Sequence, residues 1–378
     1  MSRLRDAVVV GSGPAGLAFA AAAAAGGLAV TVLEREAFPV DKACGEGLLP
    51  GGRRALAVLG VLPLLPADAV RELRSIRWCE ADGMGARVAL PPPGGLGVRR
   101  TVLSAALRAL AEAAGAEVRA GAAAAAHLRT RDGVRVTLAD GQGVEGRVLV
   151  AADGLGSPVR RREGLDRPAP GPRRFGVRRH FEVAPWSDGV EVHFGAAGSG
   201  GPGVEAYVTP VSPREVGVAF LFARPAPGPD ARPVDARFDA LLARFPAVAA
   251  ALRGARPTSA ARGAGPLARA ARAPVADRLV LLGDAAGYVD AVTGEGLSLA
   301  LASALDLARL LPAALAAGAT ASSLAPYAAR WRRRYRAYAA YTRLVLALSA
   351  RPALRRAVLR VAGGVPAPFE RAVAAAVG

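Results

Sequence analysis

The sequence predicts an α/β protein: a doubly wound, Rossmann-type domain with an inserted antiparallel β-sheet and a C-terminal helical tail. Three observations predict it. The uncharged stretch over 7–33 resolves into strand, glycine turn, helix and strand; long alternating strands follow from about 172; and a late buried strand ending in Gly283-Asp284 feeds another helix. The first domain therefore spans about 1–170, with a small insertion near 70–98, and resumes at 274–320 around an inserted 171–273 unit. Residues 321–378 form the tail.

With 378 residues, 52% hydrophobic and 21% charged, the chain is long and apolar enough for large cores, which excludes a disordered or fibrous protein. The net charge of +18 is carried almost wholly by arginine, since Lys42 is the only lysine, and no Cys/His finger or RNA-binding signature accompanies it. A nucleic-acid partner is therefore not expected. Two cysteines, Cys44 and Cys79, provide no disulfide framework, so a reducing cytoplasm is the expected compartment.

Hydropathy alone would read 7–33 as a membrane span or signal peptide, but Gly11, Gly13, Pro14, Gly16, Gly26 and Gly27 punctuate it and Asp6 precedes it. Ala7–Val10 is a buried strand, Pro14–Ala25 a helix opened by proline, and Ala29–Leu33 a second strand ending at Glu34. The turn Gly11-Ser12-Gly13-Pro14-Ala15-Gly16 has the three glycines of a dinucleotide site: one for the tight turn, one for close approach of a pyrophosphate, one for helix–strand packing. Glu34 stands where it would bind ribose hydroxyls, with Arg35 beside it. These features alone do not separate FAD from NAD.

Lys42, Cys44 and Gly45 share the glycine-rich loop Asp41–Gly47. Residues 51–59 read as a short helix, 73–79 and 86–90 as strands, and Thr101 as the cap of a helix carrying Leu103, Leu107 and Leu110. Val134–Leu138 and Val144–Val150 read as strands, the second running into Asp153-Gly154. In the inserted unit, Arg174–Val183, Val190–Phe194, Val204–Val208 and Glu215–Phe222 alternate as antiparallel strands; Pro225–Pro233 is a turn or linker and 234–252 a helix. Arg178 with His180, Glu191 with His193, and Glu205 with Tyr207 each share one face of a strand, and that face either roofs the site or meets solvent. A helix follows from Gly296 to about Leu311, after which the basic tail, centred on Arg330–Arg336, reads as a helical cover or a membrane-facing surface. Three histidines without a nucleophile elbow argue against a serine hydrolase, and no metal-ligand cluster is evident.

Together these motifs resemble the FAD-dependent p-hydroxybenzoate hydroxylase superfamily over most of the chain to about residue 311. The resemblance implies an enzyme holding FAD tightly and non-covalently, with NAD(P)H as a transient reductant. It assigns the FAD pyrophosphate to Gly11, Gly13 and Gly16, the adenosine ribose to Glu34, further cofactor contacts to Arg100 and Asp153-Gly154, the ribityl chain to Gly283-Asp284, and the flavin pyrimidine edge to the amides around Gly294, Glu295, Gly296 and Leu297. It implies first a monooxygenase hydroxylating a lipophilic aromatic or polyketide-type substrate, free or carrier-tethered, through a flavin C4a-hydroperoxide. The stretch 283–296 and the Cys44-Gly45 pair are also similar to geranylgeranyl reductases, which implies the alternative of reducing isolated C=C bonds, with Cys44 and Tyr207 as candidate proton donors. His193 is a further candidate for orienting or deprotonating a phenol. The segment Glu205–Pro210 lacks the halogenase Trp-x-Trp pattern. An alternative of another class is a basic membrane-surface or nucleic-acid binder without catalysis.

Overall fold

A computed structural model describes residues 4–195, 203–223, 233–365, 367, 369–371 and 374. In chain order the main elements are β1 (Arg5–Val10), α1 (Pro14–Ala25), β2 (Val30–Leu33), α2 (Pro50–Leu59), β3 (Ser75–Cys79), β4 (Gly85–Ala89), α3 (Arg100–Ala113), β5 (Glu117–Arg119) and β6 (Gly143–Ala151). Then come β7 (Arg174–Glu182), β8 (Gly189–Phe194), β9 (Glu205–Ser212), β10 (Glu215–Ala223), α4 (Val234–Leu242), α5 (Pro246–Ala251), β11 (Leu279–Leu281), α6 (Gly296–Ala316), α7 (Ala325–Ser349) and α8 (Pro352–Gly364).

The first sheet is doubly wound. Its parallel strands run β11-β6-β1-β2-β5, with Val8 opposite both Leu149 and Thr31, and Val150 opposite Val280. Strands from three distant parts of the chain thus converge, and their carboxyl ends carry the glycine turn, Asp153 and Gly283-Asp284. That is where an open α/β sheet binds ligands. α1 is apolar on every side, so it must be covered on every side, and it lies beneath the sheet between α3 and α6. α6 is the one helix among the described residues long and apolar enough to cross a membrane; half of it is buried in this domain.

The second sheet has the order β7-β10-β9-β8-β3-β4. Its four central antiparallel strands match the expected alternation. The 70–98 insertion is not a separate appendage: β8 pairs in parallel with β3, Val190 opposite Ile76, so the insertion extends this sheet. One face packs Val177, Phe181, Val208 and Phe220 against Phe238 and Phe245 near α4 and α5. The other face looks onto the first domain.

Two local expectations are corrected. α3 begins at Arg100 rather than being capped by Thr101, because the Glu46 carboxylate accepts the Arg100 N–H at 2.8 Å and does the capping from another loop. The 234–252 helix is broken at Phe245, since Pro246 opens α5 and cannot continue α4. The expected 225–233 linker lies, apart from Pro233, outside the described residues.

Candidate active site

A cavity of about 1260 Å³ lies between the two sheets and is closed on one side by α7 and α8. It exceeds the usual 300–1,000 Å³ of a small-molecule site and has room for a large cofactor beside a second molecule.

The glycine turn forms one end. Gly11 has φ +103°, and a Cβ there would lie 2.4 Å from the Ala152 carbonyl oxygen; on Gly16 it would lie 2.1 Å from the Gly11 oxygen. Both must be glycine for strand and helix to meet. Gly13 differs: a Cβ there meets nothing nearer than 3.7 Å, because it faces the cavity together with Pro14 and Ala15. The first turn of α1 has no side-chain cap, so its amides are free for an anion. Buried Glu34 accepts the Ser12 N–H at 2.9 Å, the Ser12 hydroxyl at 2.6 Å and the Glu36 N–H at 3.1 Å. Burial would raise its carboxyl, but these bonds and Lys42 hold it below the ordinary range. Gly11, Ser12, Gly16 and Glu34 shape the turn without lining the cavity; Arg35, Lys42, Cys44 and Gly45 do line it.

The middle holds Arg100, Asp153, Gly154, Gly283 and Asp284. Arg100 is buried with Nη1 lacking any partner, and Asp153 Oδ1 is equally orphaned while Oδ2 accepts the Val159 N–H at 3.2 Å. Burial pushes Asp284 up to about 6, with Arg100, Lys42 and Arg160 pulling the other way. Beyond it Gly294, with φ +70°, Gly296 and Leu297 line the wall where α6 begins without a side-chain cap. Glu295 does not line the cavity; burial raises its carboxyl to about 7, and its Oε1 has no partner. Unsatisfied buried donors and acceptors cost roughly 1–3 kcal/mol each. A pyrophosphate at Gly13 beside Arg100, hydroxyls at Asp284 and a polar ring edge at the start of α6 match the groups that line the cavity, so the residues fit FAD; Glu295, off the cavity, takes no part in this fit.

The far end belongs to the second sheet and the tail. Tyr207, Thr209, Ala219, Leu221 and Arg178 face the cavity from one side of the sheet, together with Ile76, Trp78, Val190, Val192 and Phe194. Tyr207 donates its hydroxyl to the Val292 carbonyl at 3.2 Å, and burial with the Glu205 charge pushes its phenol well above the ordinary value. Glu205 itself pairs with buried Arg174 at 2.5 Å, and Arg174 with Asp290 at 3.1 Å. Cys44 lies half-buried on the opposite wall; burial pushes its thiol up, Arg100 pulls against this and Glu46 adds to it. His193 is not at the site. Val190, Val192 and Phe194 take the cavity face of β8, so Glu191 and His193 point the other way and hydrogen-bond to each other at 3.1 Å.

Sequence reasoning missed the tail. Tyr341, Val345, Leu348, Leu359 and Phe369 line the cavity, and Arg355 fastens α8 to Glu80 at 2.5 and 2.9 Å in a buried bidentate pair. The signal was present as Tyr341, Val345 and Leu348 at helical spacing, masked by the arginine-rich character of the tail as a whole.

Residues 5–342 match the family model described as "FAD binding domain". The chain belongs to this family. Menaquinone reductase of Mycobacterium tuberculosis is 32% identical over 82% of this flavoprotein and 79% of its own length. Digeranylgeranylglycerophospholipid reductase 1 of Methanothermobacter thermautotrophicus is 28% identical over 85% and 81%. Among solved structures, OxyS anhydrotetracycline hydroxylase from Streptomyces rimosus aligns with a TM-score of 0.78 and 26% identity, covering 99% of this chain and 75% of that one. The protein is thus an FAD-dependent oxidoreductase of the p-hydroxybenzoate hydroxylase type, with geranylgeranyl-reductase-like features.

Proposed function

We propose that this flavoenzyme reduces an isolated C=C bond in a lipophilic, isoprenoid-type substrate. The observation that carries this reading is the pairing of an apolar chamber with the Cys44 thiol on its wall. Ile76, Trp78, Val190, Val192, Leu348 and Phe369 offer hydrocarbon on both sides of the chamber, and Cys44, kept as a thiol by burial, stands at its junction with the flavin end. The names of the two reductase relatives point the same way.

FAD, reduced by NAD(P)H, supplies a hydride when bound. The chain's own residues do the rest. The apolar walls exclude water and hold the alkene, and Cys44 Sγ holds the proton that the second carbon needs. Tyr207 is the weaker donor candidate, because its hydroxyl is already engaged by the Val292 carbonyl. Hydroxylation, placed first by the sequence, is the second reading, favoured by the likeness to the anhydrotetracycline hydroxylase. It asks for a base beside a phenol, and the polar groups the second sheet turns to the chamber are Arg178, Tyr207 and Thr209. The exposed apolar Leu354, Val361 and Val365 on and just after α8, among Arg351, Arg356 and Arg360, fit peripheral contact with an anionic membrane that delivers such a substrate.

Cys44→Ala tests the reading. Removal of a general acid lowers turnover by about 10²–10⁴-fold, with FAD content unchanged and Cys44→Ser partly active. Full turnover in Cys44→Ala contradicts it.

A further inference from the structure

A buried arginine joins the two halves of the fold at the loop that leads into α6. Arg174, Glu205 and Asp290 are 3%, 2% and 2% exposed, and none of them lines the cavity. Arg174 opens β7, Glu205 opens β9 with β10 between them, and Asp290 belongs to the loop 289–295 of the first domain. Arg174 Nη2 donates to Glu205 Oε2 at 2.5 Å, and its Nε stands 3.1 Å from Asp290 Oδ2. Burial works against the charge on Arg174, but the two carboxylates hold its guanidinium above the ordinary range. Three charges taken out of water are costly, and replacing such a triad by apolar side chains is often neutral or stabilising. General stability is therefore a poor account of this one.

The contacts close into a ring. Asp290 Oδ1 accepts the Val292 N–H at 3.0 Å, and the Val292 carbonyl accepts the Tyr207 hydroxyl at 3.2 Å. That hydroxyl lies 3.4 Å from Glu205 Oε2, which leads back to Arg174. The N–H and C=O of Val292 are thus both fixed, and Val292 and Gly294 line the cavity just before the uncapped start of α6. From α7 the loop has a second hold, since Tyr338 donates to the Asp290 carbonyl at 3.0 Å and accepts the Val289 N–H at 3.2 Å. The helix holds the near end of the loop; the second sheet sets the orientation of the end that meets the cofactor.

We propose that Arg174, with Glu205 and Asp290, is a positioning residue for the cofactor: it holds loop 289–295 so that the amides at the start of α6 meet the ring edge of FAD in one orientation. The role is the same whichever reaction the flavin serves, so it stands apart from the reading of Cys44 as a proton donor.

FAD titration of Asp290→Ala tests it without any substrate. It is run at about pH 8, where Asp290, pushed up to about 6 by burial against the pull of Arg174, is ionised. The variant loses the acceptor for the Val292 N–H and one partner of Arg174; the Kd of FAD rises about tenfold or more, and the long-wavelength absorption band of the flavin shifts at saturation. Asp290→Asn, which still offers an oxygen to the Val292 N–H and to Arg174, recovers most of the affinity. Glu215→Gln is the control: it breaks the Arg99–Glu215 pair, which joins the same two halves at 3.1 Å away from this loop, and it leaves both readouts as in the parent. A parent-like Kd and band in Asp290→Ala overturn the proposal. An equal change in Glu215→Gln also overturns it, by assigning the effect to the packing of the halves in general. Where Asp290→Ala does not fold, the triple variant Arg174→Met, Glu205→Gln, Asp290→Asn leaves no unpaired buried charge and keeps an acceptor for Val292. Its affinity for FAD falls about tenfold below that of Asp290→Asn if Arg174 positions the loop, and equal affinity overturns the proposal.

Discussion

Asp284 is held where an ionised carboxylate is uncomfortable until a cofactor arrives, and Asp284→Asn separates the two consequences. Burial raises this carboxyl from 3.8 to about 6. The folded state therefore binds more protons than the unfolded chain between about pH 4 and 6, and stability falls as pH rises through that window. Two pH units correspond to about 3 kcal/mol, and because the carboxylate faces an open, wettable cavity the expected share is about 1–3 kcal/mol. Asparagine removes the penalty. FAD-free Asp284→Asn is then more stable than the parent at pH 7.5 and indistinguishable from it near pH 4. For a chain of 378 residues the unfolding entropy makes about 1 kcal/mol worth about 1.3 °C, so the gain at pH 7.5 is about 1–4 °C in Tm. FAD affinity moves the other way. Losing a hydrogen bond from a ribityl hydroxyl to a charged acceptor costs about 1.5–3 kcal/mol, or about 10- to 150-fold in Kd. Thermal melts of the FAD-free protein from pH 4 to 8, with FAD titrations by fluorescence quenching, measure both. A variant less stable than the parent at pH 7.5, or one that binds FAD equally well, refutes the reasoning.

Gly13→Ala and Gly16→Ala behave differently: the first keeps the Tm of the FAD-free protein within about 1 °C but loses FAD, while the second clashes with the Gly11 carbonyl and loses the fold's stability as well. Circular dichroism melts and the 450 nm absorbance of purified protein distinguish them. Arg355→Ala leaves Glu80 buried without its cation, a loss of about 3–5 kcal/mol. Release of α8 by limited proteolysis at temperatures where the parent resists, with a raised KM for lipophilic substrates, reports it. Tyr207→Phe loses the hydroxyl's bond to the Val292 carbonyl and its longer contact with Glu205, about 1 kcal/mol, and lowers turnover by less than about tenfold, in contrast to Cys44→Ala.

The first domain was legible because its signals are local. Strand, glycine turn, Pro14-opened helix and the acidic strand end occupy the 28 consecutive residues 7–34, and the period of each segment fixes its type. What lies across the cavity was not. Strand alternation says that Glu191 and His193 share a face, as do Glu205 and Tyr207, but not which face looks inward. β9 turns its polar set to the cavity and β8 its apolar set, because Val192 pairs with Tyr207 and His193 with Ala206. The pairing of β3 with β8 spans more than a hundred residues, and no short pattern announces it. The cap of α3 was misplaced for the same reason: its acceptor, Glu46, comes from a distant loop. The role of α8 depends on Arg355 finding Glu80 across the fold, and that of α7 on Tyr338 reaching Val289 and Asp290.

The most direct test of the central claim is the mass of the product formed from a polyprenyl quinone by the purified yellow protein with NADPH, in air and under strict anaerobiosis. With the quinone ring reoxidised before weighing, so that its reduction to the hydroquinone does not count, a gain of about 2 Da is expected in both. A gain of about 16 Da that disappears without oxygen would contradict it and establish hydroxylation instead.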